Sequence, residues 1–146
     1  MKTNIKIFII SVLLFSCGKE NNKNKIFDIN NTNTHEKLNM AIIKGDTIEY
    51  TKYYKEYSIN GHHKEFLYYA IVMAEKNNYS QAYFDIATIL EVFNYENPNN
   101  EFLGNYELYC VLKAYELGNE QAKQAIEKLY IKSKKPVPNS SSIFCK

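Results

Sequence analysis

Three segments of this chain can be laid under one another without a gap: Met40–Tyr54 (MAIIKGDTIEYTKYY), Met73–Ala87 (MAEKNNYSQAYFDIA) and Lys113–Glu127 (KAYELGNEQAKQAIE). The alignment puts Ala41, Ala74 and Ala114 in one column, Gly45, Asn78 and Gly118 in a second, and Tyr53, Ile86 and Ile126 in a third. Gly and Asn accept the left-handed conformation at little cost, so the second column reads as the end of one helix and the turn into the next. Asp46, Asn78 and Asn119 carry side chains suited to capping the following helix, and Gln81, three residues after Asn78, resembles the second half of a capping box. The alanine columns lie 33 and 40 residues apart, a spacing at which stacked helical pairs repeat.

The expected fold is therefore all-α, a short α-solenoid of about three stacked helical hairpins spanning residues 35–132. In the second pair Phe66, Leu67, Ala70, Ile71 and Ala74 fall at spacings of three and four, as do Ala82, Ile86, Ile89, Leu90 and Phe93 on the partner helix. In the third, Leu108, Val111, Leu112 and Tyr115 face Ala122, Ile126, Leu129 and Tyr130, with Lys123, Glu127 and Lys128 toward solvent. The first pair, about Glu36 to Lys44 and Asp46 to Tyr57, is shorter and less apolar, as terminal repeats tend to be. Asn60-Gly61 and the stretch from Asn94 to Gly104, with Pro98, separate the pairs. Residues 133–146, with Pro136, Pro138 and a serine run, are expected to form an irregular tail.

In front of this domain stands an address. Residues 1–16 read MKTNIKIFIISVLLFS, a short lysine-bearing lead and an apolar run from Ile7 to Phe15, too short to span a bilayer and of the length of a secretory signal. The run ends at Leu14-Phe15-Ser16-Cys17-Gly18, which resembles a bacterial lipoprotein lipobox. The resemblance implies that Cys17 is lipidated and becomes the mature N-terminus, several acyl chains together making a stable anchor. It also implies a cell-envelope location; with Gly18 and not Asp after the cysteine, the outer membrane, facing periplasm or surface, is the expected one. A cleaved signal with Cys17 incidental is the other reading. Residues 17–34, rich in Asn and Lys with no periodic apolar face, then read as a lipidated cysteine followed by a flexible tether.

Tyr109–Tyr130, through Lys113-Ala114, Glu116-Leu117-Gly118, Ala122, Leu129 and Tyr130, resembles a Sel-one-like repeat, the short relative of the tetratricopeptide repeat. Ala74 to Leu90 resembles a degenerate copy, while the stretch from Asn94 to Asn100 replaces the glycine-rich loop between repeats of that family. Members of the family are mostly adaptors that bind proteins, and the resemblance implies a protein or peptide partner here. A narrower version, by association, is an immunity-type lipoprotein that neutralises a secreted toxin.

Tyr50, Tyr53, Tyr54 and Tyr57 lie on one face of one helix, in a chain with 13 tyrosines and no tryptophan. Such a stripe is either a recognition surface, tyrosine supplying large contact area at low entropic cost, or the packing face of the helix. Tyr50, Tyr54, Tyr57, Tyr83 and Tyr106 are the residues expected to meet a partner if the first holds. His62, His63 and Glu65 form the one cluster with metal-ligand chemistry, and an envelope metal-binding protein or hydrolase built on them is the rival from another class. Adjacent loop histidines seldom close a site without further ligands, so loop solvation or capping is the plainer reading. His35, near Asn33 and Glu36, reads as part of a helix cap.

Cys110 reads as a small buried apolar residue, and a bridge from it to Cys145 in the tail would be open in an oxidising compartment. There is no G-x-S-x-G, no phosphate-binding glycine loop and no H-E-x-x-H, so neither an enzyme nor a cofactor is expected. The 146 residues carry 18 basic side chains, all lysine, against 16 acidic ones; without Lys2 and Lys6 of the leader the balance is even. Lacking a basic stripe and any arginine, the chain offers nothing for nucleic acid.

Overall fold

Among the described residues six helices account for nearly all of the regular structure, and side-chain caps start four of them, α1, α2, α5 and α6. The computed structural model describes residues 27–144; Cys17, the expected lipidation site, and the tail cysteine Cys145 lie outside them. The first hairpin is α1 (Thr32–Lys44) and α2 (Thr47–Ile59), the second α3 (Leu67–Asn77) and α4 (Ser80–Glu96), the third α5 (Glu101–Glu116) and α6 (Glu120–Ile126). A π turn, Glu127–Ile131, extends α6, and a short 3-10 turn, Ser140–Ser142, lies in the tail. No strand occurs among the described residues. The fold is all-α: helices pack within each hairpin, and the hairpins join through α1 against α3 and α4 against α5.

The column of turn residues is the register of the structure. Gly45, Asn78 and Gly118 all adopt positive φ, at 70°, 53° and 81°. Beyond the first and third of them the backbone N–H groups of Asp46 and Asn119 donate to the carbonyls of Ala41 and Ala114, 2.9 Å each, closing the helix ends as Schellman turns. Ala41, Ala74, Ala114, Tyr53, Ile86 and Ile126 are all buried, so the other two columns face inward as aligned. Asp46 accepts from the N–H groups of Ile48 and Glu49, and Asn119 from that of Ala122, so both cap as expected.

Asn78 does not cap the next helix. It is the left-handed residue that ends α3, and α4 starts at Ser80, with Tyr79 before it supplying no side-chain cap. Gln81 is accordingly no capping-box partner: its amide donates to Asp85 and its carbonyl accepts from the Asn119 amide, both at 2.9 Å. The Tyr50 hydroxyl donates to the other oxygen of Asp85 at 2.9 Å. A buried polar chain, Tyr50–Asp85–Gln81–Asn119, thus ties all three hairpins together. Asp85 itself is only 2% exposed.

Two boundaries and one cap differ from the sequence expectation. Asn31 caps α1 by accepting from the Thr34 N–H, so the helix opens at Thr32; Phe27 and Ile29 already pack on the core, which takes residues 27–34 out of the tether. His35 is not part of a cap: its Nε2–H donates to the Ile29 carbonyl at 2.6 Å and its Nδ1 accepts from the Tyr69 hydroxyl at 2.5 Å, an assignment set by the carbonyl, which can only accept. The break between the second and third pairs is shorter than Asn94 to Gly104. Helix α4 runs to Glu96 and α5 starts at Glu101 under an Asn100 cap, passing through Gly104.

The turn glycines differ in what a side chain would meet. A Cβ on Gly45 would stand 2.8 Å from Asn77 Oδ1, whose amide nitrogen donates to the Ile42 carbonyl at 2.7 Å, whereas a Cβ on Gly118 meets nothing within 4 Å. Gly118→Ala is expected to cost about 1 kcal/mol, the penalty of left-handed backbone for an L side chain. Gly45→Ala should cost about 2 kcal/mol, because the Asn77 hydrogen bond is disturbed as well. Urea midpoints of the two variants, at unchanged slope, check the order.

Candidate functional site

The tyrosine stripe of α2 points inward. Tyr50 and Tyr57 are fully buried and Tyr53 is 5% exposed; Tyr54 alone stays partly open. Their rings close around the fully buried Phe66, with centroids 5.3 Å (Tyr50), 5.4 Å (Tyr54) and 5.2 Å (Tyr57) from it in edge-to-face geometry. Tyr69 adds a fourth at 5.6 Å. Such pairs add to the burial of large apolar area, which is why an unbroken tyrosine face belongs to the core of this fold. Tyr83, on α4, is 2% exposed. Three of the five tyrosines expected to meet a partner, Tyr50, Tyr57 and Tyr83, are therefore core residues with no surface to offer. Burial holds the Tyr54 and Tyr57 hydroxyls at about 12, Asp85 adding to the first and Tyr69 to the second.

Tyr106 has a different setting. It stands on α5 between Phe102 and Tyr109, the three at i, i+4 and i+7, with ring centroids 6.2 and 6.0 Å apart and planes tilted by only 18° and 10°. The three rings form a stacked ladder along an open face: Phe102 is 65% exposed, and Tyr106 and Tyr109 are half-buried. Tyr83 touches the ladder from beneath at 6.4 Å from Tyr109. Burial raises the Tyr83, Tyr106 and Tyr109 hydroxyls above the ordinary range, and the charge of exposed Glu75 on α3 raises all three further. All three hydroxyls consequently stay neutral donors at physiological pH. Phe102 and Tyr109 escaped the sequence reading although they repeat the spacing of Tyr50, Tyr54 and Tyr57; that spacing was the available signal.

On the opposite side of α5, a groove of about 550 Å³ opens between α4, α5 and α6. Its floor is Phe84, Ala87, Val111 and Ala125, and Glu91, Glu107 and Lys128 stand along it. Burial raises the carboxyl of Glu107, and a hydrogen bond from the Asn94 amide opposes the shift. The π turn after α6 leaves Leu129 at the mouth of this groove, 55% exposed.

The histidine cluster lies in the connection between α2 and α3. His62 Nδ1 is 3.2 Å from Glu65 Oε1 at the surface, and no group of three or more His, Cys, Asp or Glu side chains comes within ligating range among the described residues. The Glu65 carboxyl is lowered by a backbone hydrogen bond first and by His62 second, as in a loop cap. The ring of His62 packs on Phe27, 5.7 Å between centroids. Cys110 is fully buried, its thiol pushed up to about 12 by burial and then by the charge of Glu75, so it is an inert core group.

Comparison with known proteins found no matching family model, no matching curated protein and no matching solved structure.

Proposed function

We propose that this chain is a lipid-anchored helical-repeat protein of the cell envelope that binds a protein or peptide partner, its hairpins being of the tetratricopeptide or Sel-one-like kind. The observation that carries the binding role is the ladder of Phe102, Tyr106 and Tyr109. A stacked aromatic row that the packing of the hairpins leaves at the surface, with Phe102 65% exposed, is apolar area that the hairpins do not use, and aromatic anchors supply most of the energy at protein interfaces. The repeat reading is supported by three left-handed turn residues and three buried alanines in one register. The anchor rests on the lipobox-like sequence at Cys17. An immunity-type role is the narrower form of the same reading, its partner a secreted toxin.

The test is affinity capture from detergent-solubilised envelopes with three forms of the full chain: wild type, Cys17→Ser and Phe102→Ala/Tyr106→Ala. The wild type should carry acyl chains by mass, fractionate with membranes and retain one dominant partner. Cys17→Ser should lose the acyl mass and leave the membrane fraction. Phe102→Ala/Tyr106→Ala should keep its helicity, since Phe102 is largely exposed, and lose the partner. A partner retained by that folded variant would remove the ladder from the interface.

A further inference from the structure

Residues 140–144 of the chain's own tail lie on the ladder. Ser140, in the 3-10 turn, is 3% exposed; its backbone N–H and its hydroxyl donate to the two oxygens of Glu116, at the end of α5, 2.7 Å each. Four residues on, the Phe144 ring packs against Tyr109 and Phe102, at 5.8 and 6.2 Å between centroids. We propose that this face of α5 is a peptide-docking site, held in the free protein by residues 140–144, and that the partner it fits is a peptide segment presenting a serine or threonine followed four positions later by an aromatic residue. The existence of an outside partner rests on the binding-module reading above; the occupancy by the tail does not.

The contacts are of a transferable kind. Glu116 recognises a backbone N–H and a hydroxyl, groups that any serine or threonine with a free N–H supplies. The ladder recognises an aromatic face. The tail fills the site incompletely, leaving Phe144 half exposed and Phe102 65% exposed, so a better-fitting segment has area still to cover. The connection is built to let go: residues 135–139 have no regular structure and include Pro136 and Pro138, and residues 131–136 are all exposed. Lifting the tail thus uncovers the ladder while leaving the hairpin packing intact. A tethered segment competes at an effective concentration near the millimolar range for a short linker, so an outside peptide succeeds only when it binds more tightly or when the tail is released.

The test uses the full-length protein in detergent and a labelled synthetic peptide of residues 136–144, PVPNSSSIF. A chain whose own tail is weakened, Ser140→Ala/Phe144→Ala, should bind the peptide at least about tenfold more tightly than the wild type does, since the internal competitor is gone. Adding Glu116→Ala should abolish that binding, as should alanine at the first serine of the peptide, the counterpart of Ser140, or at its phenylalanine, a change that leaves the protein untouched. Equal affinity for wild type and weakened chain, or no binding to the weakened chain at millimolar peptide, overturns the proposal. So does a wild type that forms dimers by exchanging tails while the weakened chain is monomeric, because the occupant would then be a second copy. Capture of the same envelope partner in equal amount by both chains would overturn the competition while leaving the binding module standing.

Discussion

Phe66→Ala should remove about 4 kcal/mol of stability, the usual cost of truncating a fully buried phenylalanine. Phe66 is 0% exposed and stands where the end of α2 meets the start of α3, with four tyrosine rings within 5.6 Å of its centroid. Removing the ring leaves Tyr50, Tyr54, Tyr57 and Tyr69 around a void that rigid rings fill poorly. The loss is a large part of the roughly 5–15 kcal/mol that holds a domain folded, and the thermal midpoint should fall by more than about 10 °C. Phe66→Leu keeps most of the volume and should cost about 1.5 kcal/mol. Urea unfolding of the two variants measures both. A loss below about 1 kcal/mol for Phe66→Ala would mean that the tyrosines are able to turn outward, and the stripe on α2 would again be a candidate interface.

The contrast between α2 and α5 shows what periodicity carries. Tyr50, Tyr54 and Tyr57, and Phe102, Tyr106 and Tyr109, have the same spacing, yet the first row is core and the second is mostly surface. A row of aromatics on one helical face states that the face is distinct; which way it turns is decided by what packs on the helix, and that is a long-range fact. Short-range chemistry was legible. The left-handed turns at Gly45, Asn78 and Gly118 and the caps at Asp46 and Asn119 follow from residues within a few positions of one another. Asn78 shows the limit of that grammar, because the same residue type suits the end of one helix and the start of the next.

The tail shows a second limit. Residues 135–139, with Pro136 and Pro138, form neither helix nor strand, but the serine run of the tail, expected to be irregular, makes the 3-10 turn Ser140–Ser142, and nothing local says that Ser140 will find Glu116 or that Phe144 will find Tyr109. Asp85 was the legible exception that went unread. It sits three residues after Ala82 and four before Ile89, on a face otherwise apolar, and an acid at a core position must find donors. Gln81 one turn earlier supplies one, and the first member of the tyrosine stripe supplies the other.

That buried acid contributes less to stability at neutral pH than in mild acid. Burial raises the Asp85 carboxyl from 3.8 to about 6, against the opposing pull of its hydrogen bonds from Gln81 and Tyr50. No lysine or histidine is among the causes of the shift, so the charged form is held by neutral donors alone. Between those two values the folded chain binds more protons than the unfolded one, so stability falls as pH rises through that window and levels off above it. The loss from Asp85 amounts to about 3 kcal/mol between pH 3 and pH 7. Glu107, also raised by burial, contributes with the same sign and Glu65, which is lowered, with the opposite one, so the decisive measurement is a difference. Asp85→Asn keeps the shape, with its carbonyl accepting from Gln81 and its amide donating to the Tyr50 oxygen. The gap between wild type and variant, followed by urea unfolding from pH 4 to pH 7, should shift in favour of Asp85→Asn as pH rises. Asp85 accepts from both Tyr50 and Gln81, which leaves Gln81 Oε1 for Asn119 and so joins the third hairpin to the first. A gap that does not change with pH would mean that water reaches the carboxylate and that the three hairpins are not closed around it.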